Sequence, residues 1–121
     1  MARIIVIDDD VQVLEMLRQT LECEGYEVVD APNGNEGIKL CRENPADLII
    51  TDIIMPKKEG LETIIALKRD FPDSKIIAIS GGGRISPEEY LSMAKKLGAG
   101  YALAKPVERE ELLAAVRELI G

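Results

Sequence analysis

Three aspartates, a serine and a lysine stand at the ends of short apolar runs, and as a set they could carry out phosphoryl transfer. Asp8 and Asp9 follow the run 4–7 at once, Asp52 comes just after 48–50, Ser80 closes 76–79 and Lys105 follows 101–104. Each alone is weak, because an aspartate after a strand is commonly a helix cap, and Asp10 reads as such a cap. The combination asks for more. Carboxylates held together repel one another, so a cation is needed to keep them ionised. Oxygen ligands with positions left over for water favour Mg²⁺. A lysine ammonium beside them relieves part of the repulsion and can pair with a bound phosphate as a point charge. A serine hydroxyl can donate to a phosphate oxygen. Such a set suits in-line phosphoryl transfer, where positioning and charge neutralisation do most of the catalysis.

The elements that must bring these residues together repeat one rhythm, strand then helix. The runs 4–7, 48–50 and 76–79 are short, continuous and rich in Ile, as in strands buried on both faces of a parallel sheet. The segment 26–29 is interrupted by Glu27 and suits an edge strand, and the mild segment 101–104 suits the other edge. Helical spacing lies between them: Val11, Leu14, Leu17 and Leu21 in the first helix, Leu61, Ile64, Ile65 and Lys68 in the third, and Leu112, Val116 and Leu119 in the last. Asn33 three before Glu36, and Ser86-Pro87-Glu88-Glu89, read as helix starts, while Gly25 and Gly98 sit where helices stop. Lys57 to Gly60 reads as a solvated loop. Five such alternations predict one α/β domain over residues 1–121, with five strands, five helices and helices on both faces of the sheet. In open sheets of this kind the ligand crevice lies beyond the carboxyl ends of the strands, where the five chemical residues stand.

Composition narrows the function. At 121 residues with 46% hydrophobic content the chain can build one core, necessarily aliphatic because it has three tyrosines, one phenylalanine and no tryptophan. A net charge of -7 argues against binding nucleic acid or an anionic membrane directly. No apolar stretch approaches the ~20 residues of a membrane span, and Met1-Ala2 lead straight into the first strand rather than a signal peptide. Cys23 and Cys41 read as reduced filler residues of a cytoplasmic protein. The absence of histidine excludes His-based catalysis.

The motifs Ile7-Asp8-Asp9-Asp10, Thr51-Asp52-Ile53-Ile54-Met55-Pro56, Ile79-Ser80-Gly81 and Ala104-Lys105-Pro106, with Gly98-Ala99 ahead of the fifth strand, resemble the receiver domains of bacterial response regulators in order and spacing. The likeness spans essentially the whole chain. It implies a flavodoxin-like three-layer sandwich with strand order 2-1-3-4-5. It further implies that Asp52 is the phosphoacceptor and that Asp8, Asp9, Asp52 and the backbone carbonyl of Ile54 bind Mg²⁺. By the same resemblance, Ser80 and Lys105 contact the phosphoryl group and the Lys105-Pro106 bond is cis. The implied donor is a phosphohistidine on a sensor kinase or phosphotransfer protein of a two-component system. A downstream effector would meet the face formed by the fourth helix, fifth strand and fifth helix, where Tyr90, Met93 and Tyr101 are candidates.

The chain departs from the family pattern in three places. Ala102 stands where an aromatic switch residue is usual, and Tyr101, one position earlier, should point to the opposite face as a packing residue. Gly81-Gly82-Gly83 after Ser80 reads as a mobile connection that could replace part of that switch. In receivers the side chains two beyond Asp52 and Ser80 tune how water reaches the phosphate. Here Ile54 and Gly82 cannot orient water by hydrogen bonding, which predicts that self-dephosphorylation is not fast. Two other functions compete with the signalling switch: a Mg²⁺-dependent enzyme that uses Asp52 as nucleophile on small molecules, and a binding module that never sees phosphate. No inserted cap segment or nearby general acid supports the enzyme, and the complete residue set speaks against the silent module.

Overall fold

In a computed structural model, residues 2–53, 59–80, 89, 92, 95–96 and 98–121 are described, with 59–61 described in backbone only. Strands β1 (Arg3–Ile7), β2 (Glu27–Ala31), β3 (Leu48–Asp52), β4 (Lys75–Ser80) and β5 (Tyr101–Ala104) form one parallel sheet in the order 2-1-3-4-5. The helices are α1 (Val11–Cys23), α2 (Gly34–Glu43), α3 (Glu59–Asp70) and α4 (Arg109–Ile120). Four helices are thus delimited where five are expected. The fifth expected helix falls on the segment after β4, of which only Glu89, Ser92, Lys95 and Lys96 are described, all helical.

Strand alternation divides the apolar runs into two cores. Ile4, Val6, Leu48, Ile50, Ile77, Ile79 and Leu103 face α1 and α4, which contribute Leu14, Leu17, Leu21, Leu112 and Val116. Ile5, Ile7, Ile49, Ile76 and Ala78 face α2 and α3, which contribute Cys41, Ile64 and Leu67. Each central strand is therefore apolar through its middle, at 4–7, 48–50 and 76–79, because both its faces are covered. Burying each such Leu or Ile is worth about 1.5–3 kcal/mol, so the three-layer arrangement is favoured over any that exposes one face. The interrupted and mild strands, β2 and β5, occupy the two edges as expected.

Local signals set the connections. Asp10 Oδ1 accepts from the Gln12 amide at 2.9 Å and Asn33 Oδ1 from the Glu36 amide at 2.9 Å, starting α1 and α2. Gly25, at φ 92°, closes α1, its amide donating to Glu22 O at 3.0 Å. Tyr26 belongs to this exit turn, since its amide donates to Leu21 O. For that reason β2 runs from Glu27 to Ala31 rather than over 26–29.

Other expectations are corrected. Val11 is 72% exposed because the first turn of α1 lies where the sheet ends, so the buried stripe begins at Leu14. Ile65 is 48% exposed, and the buried side of α3 carries Thr63, Ile64 and Leu67. Glu59 and Gly60 are already helical rather than loop. Of the two cysteines only Cys41 fills core, while Cys23 is exposed.

Helix α2 lies close enough to β1 that a Cβ on Gly37 would stand 2.2 Å from Ile7 Cδ1 and 2.7 Å from its Cγ1. Ile7 immediately precedes Asp8, so this contact also fixes the end of β1. Gly37→Ala is expected to destabilise the fold by about 1–3 kcal/mol through overpacking, read as a lower midpoint in urea unfolding.

Candidate functional site at the carboxyl edge of the sheet

The strand ends named from the sequence converge on one edge. Asp8 directly follows β1, Asp52 is the last residue of β3, Ser80 the last of β4, and Lys105 directly follows β5. Register makes a staircase of the last three: Asp52 pairs with Ile79, one residue before Ser80, and Ser80 pairs with Ala104, one residue before Lys105. The Lys105 amide donates to Ser80 O at 2.8 Å, carrying the ladder up to the lysine. The Lys105–Pro106 peptide is cis.

Asp8 is buried and held by the backbone on both sides of it. Its amide donates to Ala31 O at 3.2 Å, and its Oδ1 accepts from the Asp10 amide at 2.9 Å. Asp10 therefore does more than cap α1, a second role that the capping pattern alone did not reveal. Asp9 is exposed, whereas Asp52 is only 3% exposed. One carboxylate oxygen from each of Asp8, Asp9 and Asp52 lies within 4.8 Å of the others, a group that could hold a metal ion. All three donors are hard oxygens, and the exposed Asp9 leaves one side open to water, which is the donor chemistry Mg²⁺ takes.

Lys105 Nζ donates to Asp52 Oδ2 at 2.9 Å and lies 3.0 Å from Asp8 Oδ2, the latter a charge contact without hydrogen-bond alignment. Burial opposes the lysine charge, but the hydrogen bond to Asp52 and the close contact with Asp8 outweigh it and hold the ammonium above its ordinary range. Burial pushes the Asp8 carboxyl from 3.8 to about 6. The Asp10 amide and Lys105 work against that rise, and the Asp52 charge adds to it. One ammonium thus offsets three carboxylates only in part, which leaves the site short of positive charge. Ser80 is wholly buried, and its Oγ has no hydrogen-bond partner among the described residues. A buried hydroxyl without a partner is costly and calls for an explanation, such as an acceptor oxygen brought by a ligand.

The remaining candidates divide. Ile54 and Gly81 to Gly83 lie outside the described residues, as do Tyr90 and Met93. Tyr101 is half-buried on the α4 side with Leu103, and its hydroxyl donates to the Glu118 carboxylate, so it packs as expected. Ala102 pairs with Ala78, whose side chain belongs to the other core.

Residues 4–117 match the family described as response regulator receiver domain. The transcriptional regulatory protein CpxR of Escherichia coli (strain K12) is 32% identical over 120 residues, which is 99% of this chain and 50% of CpxR. The response regulator MprA of Mycobacterium sp. (strain KMS) is 36% identical over 118 residues, 98% of this chain and 50% of MprA. The chain spans about half the length of these curated relatives. A solved response regulator receiver domain protein from Clostridium thermocellum is 34% identical with a TM-score of 0.90, covering 99% of this chain and 94% of that one.

The raised Asp8 value has a consequence for stability. The folded protein binds this proton more tightly than an unfolded chain would. The contribution is therefore fully present below pH 3.8 and lost as the pH rises through 6. In metal-free protein, Asp8→Asn should gain on the wild type by up to about 3 kcal/mol between pH 4 and pH 7, and Mg²⁺ should narrow the gap. Denaturant unfolding at a series of pH values checks this, and parallel curves would contradict it.

Proposed function

The chain belongs to the response regulator receiver domain family, and on that premise we propose that it accepts a phosphoryl group on Asp52 and thereby switches a partner-binding face. The observation that carries the proposal is the placement of Asp52: buried at the end of β3, 2.9 Å from the Lys105 ammonium and grouped with the Asp8 and Asp9 carboxylates.

In this reading an Asp52 carboxylate oxygen attacks the phosphorus of a phosphohistidine on a sensor kinase or phosphotransfer protein. A P–O bond forms to Asp52 as the P–N bond breaks, and the imidazole leaves with the electron pair and takes up a proton. Asp8, Asp9, Asp52 and the Ile54 carbonyl would hold Mg²⁺, which when bound supplies charge neutralisation for the transferring phosphoryl oxygens. Lys105 pairs with one phosphoryl oxygen in place of part of its contact with the carboxylates. The buried Ser80 hydroxyl donates to another and so gains the partner it lacks. The donor side chain is carried by a protein, and an apolar depression of about 420 Å³ beside Lys105 offers it a contact surface. Val13, Met16, Pro106 and Val107 line that depression, with Val11 exposed on the same helix.

Residues 1–121 act in this reading as one cytoplasmic receiver rather than as an enzyme with turnover. An effector would be met through the face that includes β5 and α4. Among the described residues no helix is long and apolar enough to cross a membrane.

With Mg²⁺ and acetyl phosphate, the wild type should gain one phosphoryl group per chain, located on Asp52 by mass spectrometry of peptides. Asp52→Asn or removal of Mg²⁺ by a chelator should abolish the label. Sustained hydrolysis of small phosphate esters would favour an enzyme instead, and no label under any condition would favour a silent binding module.

A further inference from the structure

We propose that Thr51 is a positioning residue for the phosphoacceptor, its buried hydroxyl fixing the main chain of Asp52. The inference rests on the role proposed for Asp52. Thr51 is wholly buried, and its β1 neighbour in register is Ile7 and its β4 neighbour Ala78, both members of the core beneath α2 and α3. At such a place valine has the same shape and no polar atom to satisfy, so packing gives no reason for a hydroxyl there. The hydroxyl does have a partner: it donates to the backbone carbonyl of Asp52 at 3.2 Å.

That carbonyl lies one residue beyond the last register pair between β1 and β3. The register between β1 and β3 has its last pair at Ile7 and Thr51, one residue short of the acceptor. On the other side the ladder continues: Asp52 pairs with Ile79, and the Ile53 amide donates to Ile79 O at 2.9 Å. The Thr51 hydroxyl thus adds a tether at the acceptor's own carbonyl, one residue past the last register pair with β1. Orientation matters there because the Asp52 carboxylate serves two purposes from one backbone position. It must keep one oxygen near Asp8 and Asp9 and offer an oxygen in line with the incoming phosphorus. A small misplacement of a reacting group can cost orders of magnitude in rate.

The test compares Thr51→Val, which keeps the shape and removes the hydroxyl, with Thr51→Ser, which keeps the hydroxyl. The probes are acetyl phosphate at saturating Mg²⁺ for the rate, Mg²⁺ titration followed by NMR for the metal, and thermal unfolding for the fold. Thr51→Val is expected to phosphorylate about tenfold more slowly at saturating donor, with unchanged or higher melting temperature, and Thr51→Ser to recover most of the rate. Equal rates in the wild type and Thr51→Val would overturn the proposal. So would a rate loss shared equally by Thr51→Ser, or a marked fall in the melting temperature of Thr51→Val, which would assign the hydroxyl to the fold. Absence of phosphorylation in the wild type itself would refute the role of Asp52 instead.

Discussion

The structure turns on one electrostatic constraint: negative charge is concentrated at the carboxyl edge of a sheet that is otherwise apolar. Asp8 and Asp52 are buried there and Asp9 stands beside them, with one lysine ammonium in contact with the two buried groups. Carboxylates in such surroundings repel one another and lose hydration, so they stay ionised only where positive charge is supplied. Lys105 supplies part of it. Burial, with a smaller push from the Asp52 charge, still holds the Asp8 carboxyl above its ordinary range. An unmet demand for a cation is costly to the fold, and in the proposed function it suits a switch, because a divalent ion and a phosphoryl group would each find the site already arranged for them.

The rest of the architecture holds those charges in place. Two aliphatic cores clamp the sheet from both faces, so the strand ends cannot drift relative to one another. The parallel register then sets Asp52, Ser80 and Lys105 one step apart across three strands. The turn into α1 fixes Asp8 through the Asp10 amide, and the close approach of Gly37 to Ile7 seats the end of β1. The β3 register with β4 runs through Asp52, whereas the register with β1 has its last pair one residue earlier, at Thr51. That is the position where a buried threonine replaces the isoleucine pattern.

Much of this was legible in the sequence because the determining signals are local. Continuous Ile runs announce strands covered on both faces, a polar residue closing each run marks the carboxyl edge, and Asp10, Asn33 and Gly25 announce helix ends. What stayed hidden depends on contacts between distant segments. Helical periodicity groups Val11 with Leu14, but it cannot show that the sheet ends beneath the first turn. Tyr26 looks like strand until its amide is found bonded to the preceding helix. The second role of Asp10 and the partner of the Thr51 hydroxyl are matters of hydrogen-bond geometry, and a capping pattern or a β-branched residue in a strand does not specify them.

The central claim is that the five side chains at the sheet edge form one Mg²⁺-dependent receptor for a phosphoryl group. Its most direct test is NMR of the protein with beryllofluoride, a non-transferable phosphoryl mimic, with and without Mg²⁺. The account predicts shifts at Asp8, Asp9, Asp52, Ser80 and Lys105 that require Mg²⁺ and vanish in Asp52→Ala. Absence of binding at millimolar Mg²⁺, or binding that persists without the metal or in Asp52→Ala, would contradict it.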